Sequence, residues 1–295
     1  MNCGPTAKEL PGRIVVVGGS AVGIETSTFL RRFGVHVTLV HRGTRLLKRE
    51  EPRAGELAQT SLEEAGVTIK LGVSAKRAKR TAKGSVLVLD DGTEIPADVV
   101  MMATGRVART AGLGLEDVGV GFDLHGNVII DEQCRAAKNV WAIGDVTGVM
   151  PFTHVAMYQG RIVADAILGG SRRASYGGIP RVVFADPEIA AAGLTPDQAD
   201  AWGLNTVATE LNLAKSITRP WTFEEKPRGH LGLLADVDRK ILIGAWAVSP
   251  LAGEWIHQAS LAIREQIPIE RLLDQVAQYP TYSESYLVAL EHLKL

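Results

Sequence analysis

A run of mostly small residues, Gly-Gly-Ser-Ala-Val-Gly at positions 18–23, separates two apolar segments near the start of the chain. Glycine lets a backbone approach a ligand closely, and the free amides at the start of a helix bind phosphate groups. A Gly-x-Gly-x-x-Gly pattern between a strand and a helix is typical of dinucleotide binding, although serine stands here at the second glycine position. The alternative is a tight turn that serves only packing. The candidate ligands of a pyrophosphate are Gly18, Gly19, Ser20, Ala21, Val22 and Gly23.

The residues after the next apolar segment indicate which dinucleotide would bind. Proteins that bind NAD place a carboxylate there, which accepts a hydrogen bond from the ribose 2′-hydroxyl. This sequence has His41, Arg42 and Arg45 instead, and no carboxylate before Glu50. A guanidinium group offers paired donors to phosphate oxygens. We therefore expect NADPH to be preferred over NADH, the alternative being a solvated surface loop.

The elements that must position these residues form a β-α-β unit. The run Ile14–Val17 is continuously apolar, which is typical of a strand buried on both faces, and a second strand covers 35–40. A helix between the two strands ends at Gly34, and the crossover should be right-handed with the strands parallel. The sequence therefore predicts an α/β fold with a Rossmann-like sheet. Further predicted elements are a helix over about 51–65 and strands over 67–71, 86–89 and 99–103.

Composition excludes several classes of protein. The 295 residues carry 32 Lys and Arg against 33 Asp and Glu, which is not the charge of a nucleic-acid binder. No apolar run approaches the roughly 20 residues that span a bilayer, and the start does not resemble a signal peptide. Two cysteines, Cys3 and Cys134, exclude a disulfide-rich scaffold, and we expect both to be free structural thiols. We therefore expect neither nucleic-acid nor membrane partners, and a cytoplasmic location. The basic cluster 76–80 is either a solvated surface or a phosphate contact.

The rest of the chain changes character beyond residue 113. Short strands are predicted over 128–130 and 140–143, followed by a helix over 157–168. The stretch 171–178 is rich in Ser, Arg and Gly and is a candidate linker. Residues 181–295 are then predicted to form an α+β domain. Its expected strands are 182–184, 231–235 and 241–247, and its expected helices are 196–202, 254–266 and 283–293.

Several segments occur together in an order that is specific as a set. The glycine loop is followed by Ala-Thr-Gly-Arg at 103–106 and by Trp-Ala-Ile-Gly-Asp-Val at 141–146. Later segments are Val-Phe-Ala-Asp-Pro-Glu-Ile-Ala at 183–190, Gly-Leu-Thr at 193–195 and Tyr-Pro-Thr-Tyr-Ser-Glu at 279–284. Over nearly its whole length the chain thereby resembles the pyridine nucleotide-disulfide oxidoreductases. These flavoenzymes include dihydrolipoamide dehydrogenase, glutathione reductase and mercuric reductase.

The resemblance implies roles for particular residues. Thr104 and Gly105 match the segment in which the family's chain crosses back from the nucleotide domain. Asp145 matches an aspartate that contacts the ribityl chain of FAD, and Glu25 matches a glutamate that pairs with a lysine near the flavin. The family's last domain forms a dimer interface and sends its C-terminal motif into the partner's active site. The resemblance therefore implies FAD as a cofactor and a homodimer formed through the C-terminal domain.

The sequence departs from the family at two places. The family's leading segment, which carries an FAD-binding glycine motif and a redox pair of cysteines separated by four residues, has no match, so we expect Glu25 to be solvated or to pair elsewhere. In the C-terminal motif, Tyr279 stands where related enzymes have a general-base histidine, and Glu284 is retained. A phenol is a poor base at neutral pH. By their match to this motif, Tyr279 and Glu284 are the candidate catalytic residues, but the family's thiol chemistry cannot be carried over to them.

Two functions are compatible with these residues. In the first, NADPH binds at the glycine loop and passes a hydride to FAD, which reduces an acceptor other than a redox cysteine pair. A separate chain, or a longer reading frame, would supply the missing half of the flavin site. The alternative is a non-catalytic module for nucleotide binding and dimerisation. The expected domains are 1–106 for NAD(P) binding, 107–174 as a remnant of the FAD domain and 175–295 for dimerisation.

Overall fold

A computed structural model describes residues 9–82 and 84–295 of the chain. Two compact units are present. The first contains the described residues up to Thr104 together with Gly178–Leu295, and the second contains Gly105–Gly177. Cys3 lies outside the described residues, so the prediction for its thiol is untested. Among the described residues no helix is long and apolar enough to cross a membrane.

A parallel sheet of four strands positions the glycine loop in the first unit. Its strand order is β3-β2-β1-β7, with Ile14 of β1 beside Val37 on one side and Val99 on the other. Strand β1 is central and almost wholly buried, as its run of β-branched residues requires. The predicted β-α-β unit is confirmed. The elements are β1 (Arg13–Val17), α1 (Ala21–Arg32), β2 (His36–His41), α2 (Pro52–Glu64), β3 (Thr68–Leu71) and β7 (Val99–Met102).

Between β3 and β7 the chain forms a three-stranded antiparallel sheet. Its strands are β4 (Ala75–Thr81), β5 (Gly84–Leu89) and β6 (Glu94–Ala97), and β5 lies in the middle. The basic cluster 76–80 lies on the edge strand β4 with its side chains exposed, and Lys79 Nζ pairs with Glu94 at 2.9 Å. The sheet edge is thus covered with charge, which protects an exposed strand from pairing with other chains.

The C-terminal part of the first unit is built on a five-stranded antiparallel sheet with the order β10-β11-β14-β13-β12. Its largest apolar core lies on the face that packs against α7 and α9, around Leu231, Trp255 and Tyr286. The strands are β10 (Pro180–Val183), β11 (Glu188–Gly193), β12 (Thr206–Asn212), β13 (His230–Asp236) and β14 (Ile241–Ser249). The helices are α4 (Pro196–Ala201), α5 (Leu213–Ser216), α6 (Ala252–Trp255), α7 (His257–Arg264), α8 (Ile269–Leu273) and α9 (Glu284–Glu291). The single helix expected over 254–266 is therefore two helices.

The second unit contains β8 (Arg135–Ala137), β9 (Val140–Trp141) and α3 (Thr153–Ile167). The strand predicted over 128–130 is wrong: the chain makes one isolated bridge there, Phe122 to Val128, and the Val128 amide donates to the Val146 carbonyl at 2.9 Å. The Asp123 carboxylate closes the turn before this bridge by accepting from three amide groups. The thiol of Cys134 is free, as predicted. It is fully buried, and burial raises its pKa.

Candidate nucleotide-binding site

The glycine loop is closed so tightly that its key positions have no room for a side chain. A Cβ atom at Gly23 would collide with the carbonyl oxygen of Gly18, and one at Gly18 would collide with the carbonyl oxygen of Ala103. Gly18 also has a φ of +124°, which is strained for any other residue. At Gly19 a Cβ would lie 2.6 Å from Leu46 Cδ2. Gly18 and Gly23 therefore require glycine for the close approach of β1, α1 and β7, whereas the missing side chain at Gly19 leaves room for the Leu46 side chain.

The start of α1 keeps its amide groups free for an anion. Ser20 is the N-cap residue, but its side chain makes no capping hydrogen bond to the helix. Its hydroxyl instead donates to the Ala103 carbonyl at 3.0 Å. The amides of the first turn have no intrahelical acceptors, and the helix dipole places partial positive charge there. The first turn, from Ala21 to Gly23, is therefore suited to oxygen atoms of a phosphate group.

The three basic residues at the end of β2 and just after it have three different environments. Arg42 is exposed. The guanidinium of Arg45 donates to main-chain carbonyls of its own loop, at 3.0 Å to Glu50 and 2.9 Å to Lys48, so it holds the loop together. His41 Nδ1 lies 3.2 Å from the Gly19 nitrogen and accepts its hydrogen bond. Arg42 is therefore the one of the three whose charge faces solvent without a partner in the described part of the chain.

Three further residues of the first unit lie close to the glycine loop in the structure or in the sequence. Ala103 is buried against the glycine loop, and Thr104, which follows it, is exposed. Glu25 lies on α1 two residues beyond Gly23, and its Oε1 accepts a hydrogen bond from the Phe184 amide at 3.0 Å. The carboxylate of Glu25 is therefore used within the unit, which agrees with the expectation that it pairs elsewhere.

In the second unit, Asp145 lies in a short 3-10 helix that starts at Gly144. Its carboxylate is 44% exposed and forms an ion pair of 2.8 Å with Arg106, and Gly105 has a φ of +123°. The fully buried Gln159 of α3 holds the turn, because its Oε1 accepts from the Gly144 amide at 2.6 Å. Sequence reasoning did not identify Gln159. The sequence feature that could have pointed to it is a single amide side chain on the otherwise apolar buried face of α3.

The candidate catalytic residues lie far from the glycine loop in the sequence: Glu284 is the first residue of α9, and Tyr279 lies in the segment before that helix. Tyr279 is 72% exposed, and its hydroxyl donates to Thr218 Oγ1 at 3.0 Å. Glu284 donates its main-chain amide to Thr281 Oγ1 at 3.3 Å. The described structure records no hydrogen bond between the side chains of Tyr279 and Glu284. No cluster of three or more metal-ligating side chains occurs in residues 9–82 and 84–295.

Comparison with known proteins defines the class to which this fold and this loop belong. The family model described as pyridine nucleotide-disulphide oxidoreductase matches residues 3–160, and the model of that family's dimerisation domain matches 179–290. The chain belongs to this family. The predicted α/β fold class is thereby confirmed, with a Rossmann-like domain and a C-terminal dimerisation domain.

Particular relatives cover almost all of this chain but only part of their own length. A mercuric reductase of Acidithiobacillus ferrooxidans is 34% identical over 98% of this chain and 52% of the relative, and a dihydrolipoyl dehydrogenase of Bacillus subtilis is 33% identical over 96% and 61%. Among solved structures, LpdA of Mycobacterium tuberculosis has a TM-score of 0.88 at 29% identity, over 97% of this chain and 62% of that one. The HOCl-induced flavoprotein disulfide reductase RclA of Escherichia coli has a TM-score of 0.87 at 28% identity, over 97% and 66%. The chain thus spans about half to three fifths of the length of these curated relatives.

Proposed function

We propose that this chain is the nucleotide-binding and dimerising part of a flavoprotein oxidoreductase. In this role it binds NADPH at the Gly18–Gly23 loop, and an acceptor other than a redox cysteine pair receives the electrons. When bound, the nicotinamide supplies a hydride and the flavin takes it up. The observation that carries the proposal is the loop in which Gly18, Gly23 and Ala103 leave no room for a side chain while the first turn of α1 stays uncapped.

The chain's own residues would bind and orient the dinucleotide. A pyrophosphate would sit against the amides of the first turn of α1, where the helix dipole and the absence of side chains both favour it. The bond from the Ser20 hydroxyl to the Ala103 carbonyl keeps the serine from blocking those amides. Thr104 continues the same edge of the sheet and would face the far half of the dinucleotide.

The preference for NADPH rests on charge at the end of β2. Arg42 is exposed and has no recorded partner in the described residues, so its guanidinium is available to a 2′-phosphate. The first carboxylate after β2 belongs to Glu50, and Arg181 holds it in a pair of 2.9 Å. It is therefore not free to accept a ribose hydroxyl, as NAD would require. In this proposal Arg45 shapes the loop and Arg42 makes the phosphate contact.

The test is the affinity of the Arg42→Glu variant for both dinucleotides, measured by calorimetry. We expect NADPH to bind about 10- to 100-fold more weakly, since a charge-assisted hydrogen bond contributes about 1.5–3 kcal/mol, and NADH to change much less. Arg49→Glu is the matched control, because Arg49 is another exposed arginine of the same loop. Tighter binding of NADH than of NADPH by the wild type, or equal losses for both, would contradict the preference.

The residues that bear on FAD fit a partial site. Asp145 presents a half-exposed carboxylate on a turn that Gln159 holds in place, which suits hydrogen bonds from a ribityl chain. A complete flavin site would need a further segment or a separate chain, and the active assembly would be a homodimer through residues 175–295. Tyr279 and Glu284 are the candidate catalytic residues of that assembly. A cytoplasmic location and the division at residues 106 and 174 remain predictions.

A second candidate function is nucleotide binding and dimerisation without catalysis. It is favoured because the two carboxylates that the family resemblance places near the flavin already have partners within this chain. Asp145 pairs with Arg106, and Glu25 accepts from the Phe184 amide. Absorption spectra of the purified protein separate the two functions. A flavin absorption band that corresponds to about one flavin per chain favours the oxidoreductase. A colourless protein that still binds NADPH favours the non-catalytic module. Light scattering of the same sample tests the dimer.

A further inference from the structure

The imidazole ring of His41 is enclosed by two glycines of different loops. Gly19 donates its amide hydrogen to Nδ1 over 3.2 Å. A Cβ atom at Gly19 would lie 2.9 Å from the ring atom Cγ, and one at Gly43 would lie 2.7 Å from Nε2. The ring therefore has its place only because both neighbours lack side chains. It contacts the second residue of the nucleotide loop directly.

This contact determines the protonation state of the ring. Because Nδ1 accepts a hydrogen bond, it carries no proton, and the neutral ring has its proton on Nε2. Nε2 is itself buried and has no partner at hydrogen-bond geometry among the described residues. Both nitrogen atoms of His41 are therefore turned to the protein interior and not to an incoming phosphate.

We propose that His41 is a positioning residue, whose neutral ring holds the Gly19 amide and whose protonation releases the loop and weakens binding of NADP and NAD alike. The inference rests on the proposed binding of a dinucleotide at this loop. It differs from the expectation that His41 contacts the 2′-phosphate, since such a contact would favour NADP alone. Protonation would put a second hydrogen opposite the Gly19 N–H and so abolish that bond.

The surroundings of His41 favour the neutral ring. The glycine loop contributes no ionisable side chain, and β3 places Leu71 opposite His41, with Lys70 opposite Val40. Burial, and then the positive charge of Arg42, lower the pKa of His41, while the main chain of Arg45 acts in the opposite direction. The positive end of α1 adds to the disadvantage of a charged ring. These surroundings favour the neutral ring, and we expect its protonation to occur below the ordinary pKa of histidine.

The experiment measures the affinities of NADP⁺ and NAD⁺ between about pH 8 and pH 5 by calorimetry. The oxidised forms are used because reduced nicotinamides decay in acid. For the wild type we expect both dissociation constants to rise about three- to tenfold on acidification, the effect of one lost hydrogen bond. His41→Asn should bind at neutral pH and show a flat profile for NAD⁺, because its amide oxygen can accept from Gly19 and does not titrate. His36→Asn, an exposed histidine at the other end of β2, should behave as the wild type.

Several results would overturn the inference. Tighter binding of NADP⁺ alone at low pH would make His41 a phosphate ligand, and a wild-type NAD⁺ profile without pH dependence would mean that the loop does not need its ring. The nitrogen chemical shifts of the ring, measured by NMR without ligand, give an independent test. We expect the form with its proton on Nε2, and a proton on Nδ1 at neutral pH would refute the geometry even if His41→Asn did not fold. If neither dinucleotide binds at any pH while the NMR signature is as expected, the proposed function fails and the contact to Gly19 stands.

Discussion

Replacement of Gly23 by alanine gives a sharp test of the glycine loop. In an open helix position such a change stabilises a protein by up to about 1 kcal/mol, because alanine is the better helix former. In α1 the new methyl group would overlap the Gly18 carbonyl oxygen by more than about 1 Å, and Gly18 is itself tied to Val40 by a hydrogen bond of 2.8 Å. Overpacking against fixed backbone costs about 1–3 kcal/mol. We therefore expect the Gly23→Ala variant to lose free energy of unfolding and most of its affinity for NADPH.

The assay is urea unfolding followed by circular dichroism, together with calorimetric titration with NADPH. Gly160→Ala is the matched control, since Gly160 lies inside α3 and a Cβ there would meet only Ile143 Cδ1 at 3.9 Å. The control should be as stable as the wild type or more so. The two variants should thus differ by about 2–4 kcal/mol. A Gly23→Ala protein with wild-type stability and wild-type affinity would refute the claim that glycine is required for this approach of strand and helix.

Two other predictions concern Glu50 and Glu51, the neighbouring carboxylates just before α2. Glu50→Ala should lower the free energy of unfolding by about 3 kcal/mol in urea titrations, because it leaves Arg181 without its partner at a site where the two side chains are only 15% and 13% exposed. A loss below about 1 kcal/mol would mean that the pair behaves as a surface ion pair. At Glu51, burial and then the charge of Asp197 raise the carboxyl pKa, so the ionised form destabilises the fold. Glu51→Gln should therefore slightly raise the free energy of unfolding at pH 7. This gain should shrink as the pH falls, because the wild-type carboxyl then takes up its proton. A gain that grows in acid would mean that the folded protein lowers the pKa of Glu51.

The parallel sheet could be predicted from sequence because it is buried on both faces. Val15 and Val16 face opposite sides of β1, and each is at most 1% exposed, so the strand needs an unbroken apolar run. The glycines were predictable for a related reason, since the close approach of β1, α1 and β7 leaves no choice of residue at Gly18 and Gly23. In both cases a short stretch of sequence shows the pattern, although the contacts that require it come from β7 and Ala103, which are distant in the chain.

The strands that escaped prediction depend on the strand beside them and not on an apolar pattern of their own. Strand β4 has the exposed sequence Ala-Lys-Arg-Ala-Lys-Arg-Thr, which has no apolar alternation, and its pairing is supplied by β5. Strand β12 is likewise polar, apart from Leu211 and a few smaller residues, and is held by β13. Composition predicts the exposure of such strands, but their conformation comes from the neighbouring strand.

The site was predicted in its glycines but not in its hydrogen bonds. That His41 accepts from Gly19 depends on how the loop after β2 turns back, and the carbonyls that Arg45 binds lie in that same loop. The sequence shows three basic residues within the five positions 41–45. It gives no indication that the side chains of His41 and Arg45 bind the main chain of the protein. The difference matters for function, because it leaves Arg42 as the contact proposed for a phosphate.

The hydroxyl bond from Ser20 to Ala103 has a consequence for how the protein is made. It joins positions 83 residues apart, and Gly18 packs against the same carbonyl group. Strand β1 cannot gain its second neighbour until β7 has left the ribosome, although β2 follows it after only a short helix. The nascent chain must therefore carry a glycine loop that lacks one of its two neighbouring strands while the three-stranded sheet of β4–β6 is synthesised. A ligand of the glycine loop would assist maturation of this region only late in translation, once Ala103 has emerged.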